Sequence, residues 1–200
     1  KSMDVRNEID HCKVVEKALE WNETLDCFIN CAGYSEWKPV ESVNNEFWDK
    51  MIDTNLKGAL WGCKTAAANL NEGGSIINVS SLAGKRGSVN NSVYCASKFG
   101  MNGLTQALAK ELGLKGIRVN AVCPVYVDSP GLLKALDDSD APPKGQKTAE
   151  YLEEFASSNA ALQRLPKGSE IADLCFYLAS SIASAITGQC INVDCGVLPQ

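Results

Sequence analysis

Short apolar stretches separated by long amphipathic ones set the tightest limit on what this chain can fold into. Leu25-Asp26-Cys27-Phe28-Ile29-Asn30, Ser75-Ile76-Ile77-Asn78-Val79-Ser80, Ile117-Arg118-Val119-Asn120-Ala121-Val122 and Cys190-Ile191-Asn192-Val193-Asp194 each read as a strand. Helical spacing fills the intervals, from Glu8 to Trp21, from about Asn45 to Leu70 and from about Val93 to Leu114. Strands too apolar to face water, each followed by a helix, describe βαβ units and a parallel sheet covered on both faces. The opening Ser2-Met3-Asp4-Val5 has the look of a strand end. We therefore expect an α/β fold, with residues 1–200 forming a single domain.

Composition narrows the partners. The net charge is −5 and the basic residues are scattered, with no aromatic and basic stripe, which argues against nucleic acid or an anionic membrane as the main partner. A small soluble substrate is expected instead. No apolar run approaches the roughly 20 residues that span a bilayer, so no membrane crossing is expected. The nine cysteines are odd in number, form no Cys-x-x-Cys pair and often sit inside apolar segments, as Cys27, Cys123 and Cys175 do. They read as reduced thiols of an intracellular, cytoplasmic protein. The single histidine, His11, lies far in sequence from any cysteine cluster, so it reads as a surface histidine and no metal is expected.

In open parallel sheets ligands bind beyond the carboxyl ends of the strands. There the chain places Asn30-Cys31-Ala32-Gly33, Ser80-Ser81-Leu82-Ala83-Gly84 and Pro124-Val125-Tyr126-Val127, all small, polar or turn-forming. Asn30, Ala32 and Gly33 would leave backbone open to a cofactor, although a plain tight turn would use the same residues. Tyr94 and Lys98 are four apart at the start of a helix, and so share one face of it. A tyrosine of ordinary pKa about 10 is too weak an acid to exchange protons unaided, and an ammonium beside it favours the phenolate. Tyr34 and Lys38 repeat that spacing, but Pro39 argues against a helix there. Asn55 is a poor residue for the interior of the long helical region that holds it; a capping or surface asparagine is the alternative to a functional one.

These residues, in this order and over essentially the whole chain, resemble the classical short-chain dehydrogenase/reductase family. Asp4-Val5 is similar to its adenine-contacting Asp-Val, Asn30-Cys31-Ala32-Gly33 to its Asn-x-Ala-Gly, and Tyr94-Cys95-Ala96-Ser97-Lys98 to its Tyr-x-x-x-Lys. The segment Ile117 to Pro124, Arg164, Glu170-Ile171-Ala172 and Thr187-Gly188-Gln189 follow the same pattern. The resemblance implies a three-layer, Rossmann-like doubly wound sheet and a secondary alcohol and ketone interconverted with NAD or NADP. It implies a catalytic tetrad of Asn55, Ser81, Tyr94 and Lys98, in which Tyr94 is the acid/base, Ser81 orients the substrate oxygen and Asn55 holds a water that links Lys98 to solvent. It implies cofactor contacts from Asp4, Val5, Asn30, Ala32, Gly33, Tyr94, Lys98, Pro124, Val127 and Ser129, a substrate loop over residues 129–168, and a homotetramer built on the two long helices.

Three positions depart from the family pattern: Val125 stands for the glycine of its Pro-Gly turn, Ser129 for a threonine, and Asp194-Cys195-Gly196 for Asp-Gly-Gly. No Gly-x-x-x-Gly-x-Gly or Gly-x-Gly-x-x-Gly occurs either. We therefore expect about 60 further N-terminal residues in the natural protein, two βα units of some 30 residues each. The competing readings are a non-catalytic dinucleotide sensor or scaffold on the same fold, and a truncated, inactive fragment.

Overall fold

The computed structural model describes residues 2–199. Four parallel strands run in the order β1 (Cys27–Asn30), β2 (Ser75–Val79), β3 (Arg118–Pro124) and β4 (Cys190–Val193). Their register pairs Asn30 with Asn78, Asn78 with Ala121, and Ala121 with Cys190. Successive strand residues point to opposite faces. Ile76 and Val119 accordingly meet α3 (Gly58–Asn69) and α4 (Ser92–Leu112), through Cys63, Ala66, Ala109 and Leu112. Ile77 and Val122 meet Ile171, Cys175 and Leu178 of α7 (Gly168–Ala179) on the other side. The result is three layers, and both faces of β3 are buried along its whole length.

Several polar side chains inside this core are paired. Asn30 donates to Asn78 Oδ1 at 2.8 Å, and Asn78 donates to Thr105 Oγ1 at 2.9 Å, which ties β1 to β2 and β2 to α4. The buried Arg118 guanidinium donates to the carbonyls of Leu178, Ala179 and Ser180, where the C-terminal end of α7 favours a cation. Thr187-Gly188-Gln189 also proves structural. Thr187 Oγ1 accepts from Val119 N at 3.1 Å, and Gln189 N donates to Asn120 Oδ1 at 3.0 Å.

Two expectations are corrected. Asp4-Val5 ends no strand among the described residues; it is a turn leading into α1 (Glu8–Asn22). His11 is not at the surface. It is 2 % exposed on the inner face of α1, where its Nε2 hydrogen-bonds Val5 O at 2.8 Å, a carbonyl released by that turn. The long helical region from Asn45 is also less regular than its periodicity suggests, since α2 (Asn45–Ile52) passes through a π-helical turn, Asp53–Lys57, into α3.

Candidate active site

Three of the strand-end segments meet the first turns of α4. Ser81 leaves β2 into a 3₁₀ turn, Leu82–Gly84, where its Oγ accepts from Ala83 N at 3.1 Å and lies near the Tyr94 phenol, whose pKa it lowers. Ser80 is the alternative serine, but its hydroxyl is spent on Lys98 O at 3.4 Å. Lys98 is 4 % exposed, and its ammonium donates to Val79 O at 2.9 Å. A Cβ on Gly33 would stand 3.9 Å from that ammonium and 3.5 Å from Asn55 Oδ1, so the end of β1 reaches the same place.

Asn55 sits in the π-helical turn, a feature frequent at functional sites. Its fully buried amide clamps Tyr34, accepting from Tyr34 N at 2.7 Å and donating to Tyr34 O at 2.8 Å. The same Nδ2 lies 3.2 Å from Ser97 Oγ, which donates to Tyr94 O at 2.7 Å. Hydrogen bonds thus link Asn55 to Tyr34 and, through Ser97, to Tyr94, and Gly33 lies beside Asn55 and Lys98. Tyr34 enters through its backbone. Its phenol turns away to Glu36 and its ring lies under the Lys50 ammonium, 3.9 Å from the ring centroid.

Electrostatics here follow burial. Desolvation pushes the Lys98 ammonium down to about 8, against weaker upward effects of Cys123 and Cys31. Burial also raises Tyr94, opposed by Ser81. The expected depression of Tyr94 by Lys98 is thus not a feature of the chain by itself, whose ammonium faces Val79 O and whose phenol stays protonated.

The expected cofactor contacts divide. Ala32 and Gly33 are exposed at the end of β1, as a cofactor-facing turn requires. Pro124 ends β3, and Val127 packs against the α7 core. Ser129 caps α5 (Pro130–Leu136), accepting from Leu132 N at 3.2 Å with its hydroxyl proton still free to donate. Val125 lies outside the left-handed region, so the backbone there makes no demand for glycine. The Asn30 amide points inward to Asn78 and serves the core. Asp4 is held by Arg6 at 2.6 Å, which keeps its carboxyl at about 2, and Val5 packs on Gly58 at the start of α3.

The expected substrate loop carries α5 and α6 (Thr148–Asn159). Sequence reasoning passed over Tyr126, whose ring meets Phe155 of α6 edge-on at 4.9 Å and whose phenol lies 3.5 Å from that of Tyr151. Tyr94 acts electrostatically on Tyr126, so this aromatic cluster borders the tetrad. Its only sequence signal was an aromatic residue beside a strand end. Ser97 was also missed, although it lies inside the Tyr-x-x-x-Lys interval itself.

Comparison with known proteins agrees with this geometry. Residues 1–198 match the family model described as enoyl-(acyl carrier protein) reductase. A short-chain dehydrogenase/reductase of Armillaria gallica is 36 % identical over 98 % of this chain and 74 % of its own length. The (S)-acetoin-forming diacetyl reductase of Staphylococcus aureus is 32 % identical over 97 % of this chain and 76 % of its own. The ligand-free aldohexose dehydrogenase of Thermoplasma acidophilum superposes with a TM-score of 0.89 at 28 % identity, covering 100 % of this chain and 81 % of that one.

Proposed function

Because the chain belongs to the short-chain dehydrogenase/reductase family, whose members are oxidoreductases that use NAD or NADP, we propose that it interconverts a secondary alcohol and a ketone with Tyr94 as acid/base. The single observation that carries this reading is the buried Lys98 ammonium 5.7 Å from the centre of the Tyr94 ring, with Ser81 at the adjacent end of β2. Exposed Ala32 and Gly33 beside that ammonium suit a nicotinamide cofactor. When bound, it supplies or accepts the hydride.

In the direction of reduction the substrate carbonyl oxygen accepts hydrogen bonds from Ser81 and Tyr94, and the Tyr94 proton passes to that oxygen as the carbinol C–H bond forms. Lys98 offsets the charge left on the phenolate, and Asn55 holds a water through which the phenol regains its proton. A dinucleotide sensor would have no use for Asn55, Ser81, Tyr94 and Lys98 together. The substrate is a small carbonyl compound, the segment 129–168 closes over it, and the assembly is a homotetramer. The nine free thiols are consistent with a place in the reducing cytoplasm.

The test is absorbance of reduced nicotinamide, NADH and NADPH in turn, against a panel of ketones with the full-length protein. Tyr94→Phe should lower turnover by about 100-fold or more, with cofactor affinity retained in a fluorescence titration. Near wild-type turnover would remove Tyr94 from the chemistry.

A further inference from the structure

The Ser81 and Tyr94 hydroxyls belong to different elements. Ser81 leads into the turn Leu82–Gly84 after β2, and Tyr94 is on the first turn of α4, so Ser81 stays near the phenol only while that turn and that helix keep their register. One side chain ties the turn itself to the helix. Asn102, one helical turn beyond Lys98 and 7 % exposed, donates through Nδ2 to Gly84 O at 2.9 Å. Contact there is so close that a Cβ on Gly84 would lie 2.7 Å from Lys98 O and 2.8 Å from Asn102 Nδ2.

The other end of the same amide is also occupied. Asn102 Oδ1 accepts from the Cys123 thiol at 3.8 Å, and Asn102 O accepts from the Cys190 thiol at 4.0 Å. Cys123 directly precedes Pro124, the last residue of β3. Asn102 therefore stands between the turn that carries Ser81 and the strand end that opens the Val125 to Ser129 segment. Asparagine is a poor helix former, and burying its amide is costly unless both ends are paired. A leucine would fill the space and fix neither segment.

We propose that Asn102 is a positioning residue for the reaction, holding the Leu82–Gly84 turn against α4 so that Ser81 keeps its place beside Tyr94. The inference rests on reading Ser81 and Tyr94 as the substrate-facing pair. Its signature follows from how Ser81 acts, since Ser81 lowers the Tyr94 pKa and loosening the turn raises it. In alcohol oxidation the limb of the rate profile that rises with Tyr94 ionisation then moves to higher pH.

The experiment measures kcat, KM and the pH profile of alcohol oxidation in the full-length protein for wild type, Asn102→Leu, Ser81→Ala and the double variant. Asn102→Leu should lower kcat about 10-fold or more and move the rising limb to higher pH, with the cofactor KM within about 2-fold. In the Ser81→Ala background it should add less than about 2-fold, because two residues that act through one contact are not additive. Wild-type kcat with an unmoved limb, or a full additional loss in the double variant, overturns the inference. Wild-type turnover in Ser81→Ala overturns the underlying reading instead, and so separates the two failures. Should Asn102→Leu fail to fold, Asn102→Asp replaces it. Its side chain is isosteric and donates to Gly84 O only while protonated, so its rate relative to wild type should climb as the pH falls, and a ratio near one at every pH overturns the inference.

Discussion

Lys98 carries the sharpest electrostatic tension in the molecule, an ammonium on a side chain 4 % exposed whose one hydrogen-bond acceptor is the Val79 carbonyl. Burial holds it at about 8 rather than the usual 10.5. Between those two values the unfolded chain binds more protons than the folded one, so the burial penalty is fully present below pH 8 and is relieved as the pH rises across the window. Catalysis runs the other way. If the charged form assists Tyr94, kcat/KM for ketone reduction should fall as the pH rises through about 8, since kcat/KM reports ionisations of the free enzyme. Lys98→Arg, charged throughout, should abolish that decline, while Lys98→Met should lower both cofactor affinity and kcat. A wild-type profile flat to pH 9.5, determined by initial rates, would leave Lys98 without its electrostatic task. The pairing of Tyr94 with Lys98 was legible because spacing along one helix is a sequence property. The direction of each side chain was not. Asn30 was expected to face a cofactor and instead faces Asn78, and His11 was expected in water and lies under a carbonyl freed by a turn that no periodicity announces.

Elements were read more reliably than side chains, and the misreadings among them have a common origin. β2 and β3 are buried on both faces, so their apolar runs had no competing explanation. α4 begins one residue before the expected Val93. Asp4-Val5 failed as a strand end because two residues before a helix carry no periodicity, and the Asp4 carboxylate is committed to Arg6. The π-helical turn at Asp53–Lys57 was foreshadowed only by Asn55, an asparagine where a helix former belongs. Asn102 gave the same signal on α4 without being singled out. Packing between α3 and β1 was not visible in the sequence at all, yet it is tight. A Cβ on Gly62 would lie 2.0 Å from Asn30 Oδ1 and 2.9 Å from Phe28 Cε1, so Gly62→Ala must displace the amide that joins β1 to β2. We expect a loss of about 1–3 kcal/mol from overpacking, read as a drop of several degrees in Tm by calorimetry. An unchanged Tm would mean that α3 can slide on β1, contrary to the close fit seen here.

Among the described residues, exposed apolar side chains include one group on each outer layer of the sandwich, beside scattered ones such as Trp21, Val89 and Leu114. On the α2 to α4 side Trp48, Leu60 and Phe99 are 46 %, 38 % and 47 % exposed, next to Gly103, which has nothing within 4 Å of its Cβ position. On the α7 side Phe176 and the following Ile182 are each 79 % exposed. A two-fold dimer covers one self-complementary patch, whereas a tetramer of 222 symmetry needs two different ones on each subunit. The groups on opposite layers would suit a tetramer if each forms an interface. Charge placed in either patch is repeated across its two-fold axis, so one glutamate confronts its own copy. Phe99→Glu and Phe176→Glu should each reduce the full-length tetramer to a dimer, through loss of different interfaces, and the double variant should be a monomer. Light scattering coupled to size exclusion at micromolar concentration reads all three masses directly. A wild-type protein that elutes as a monomer would dispose of the assembly, and a tetramer that survives Phe99→Glu would remove the α2 to α4 face from it.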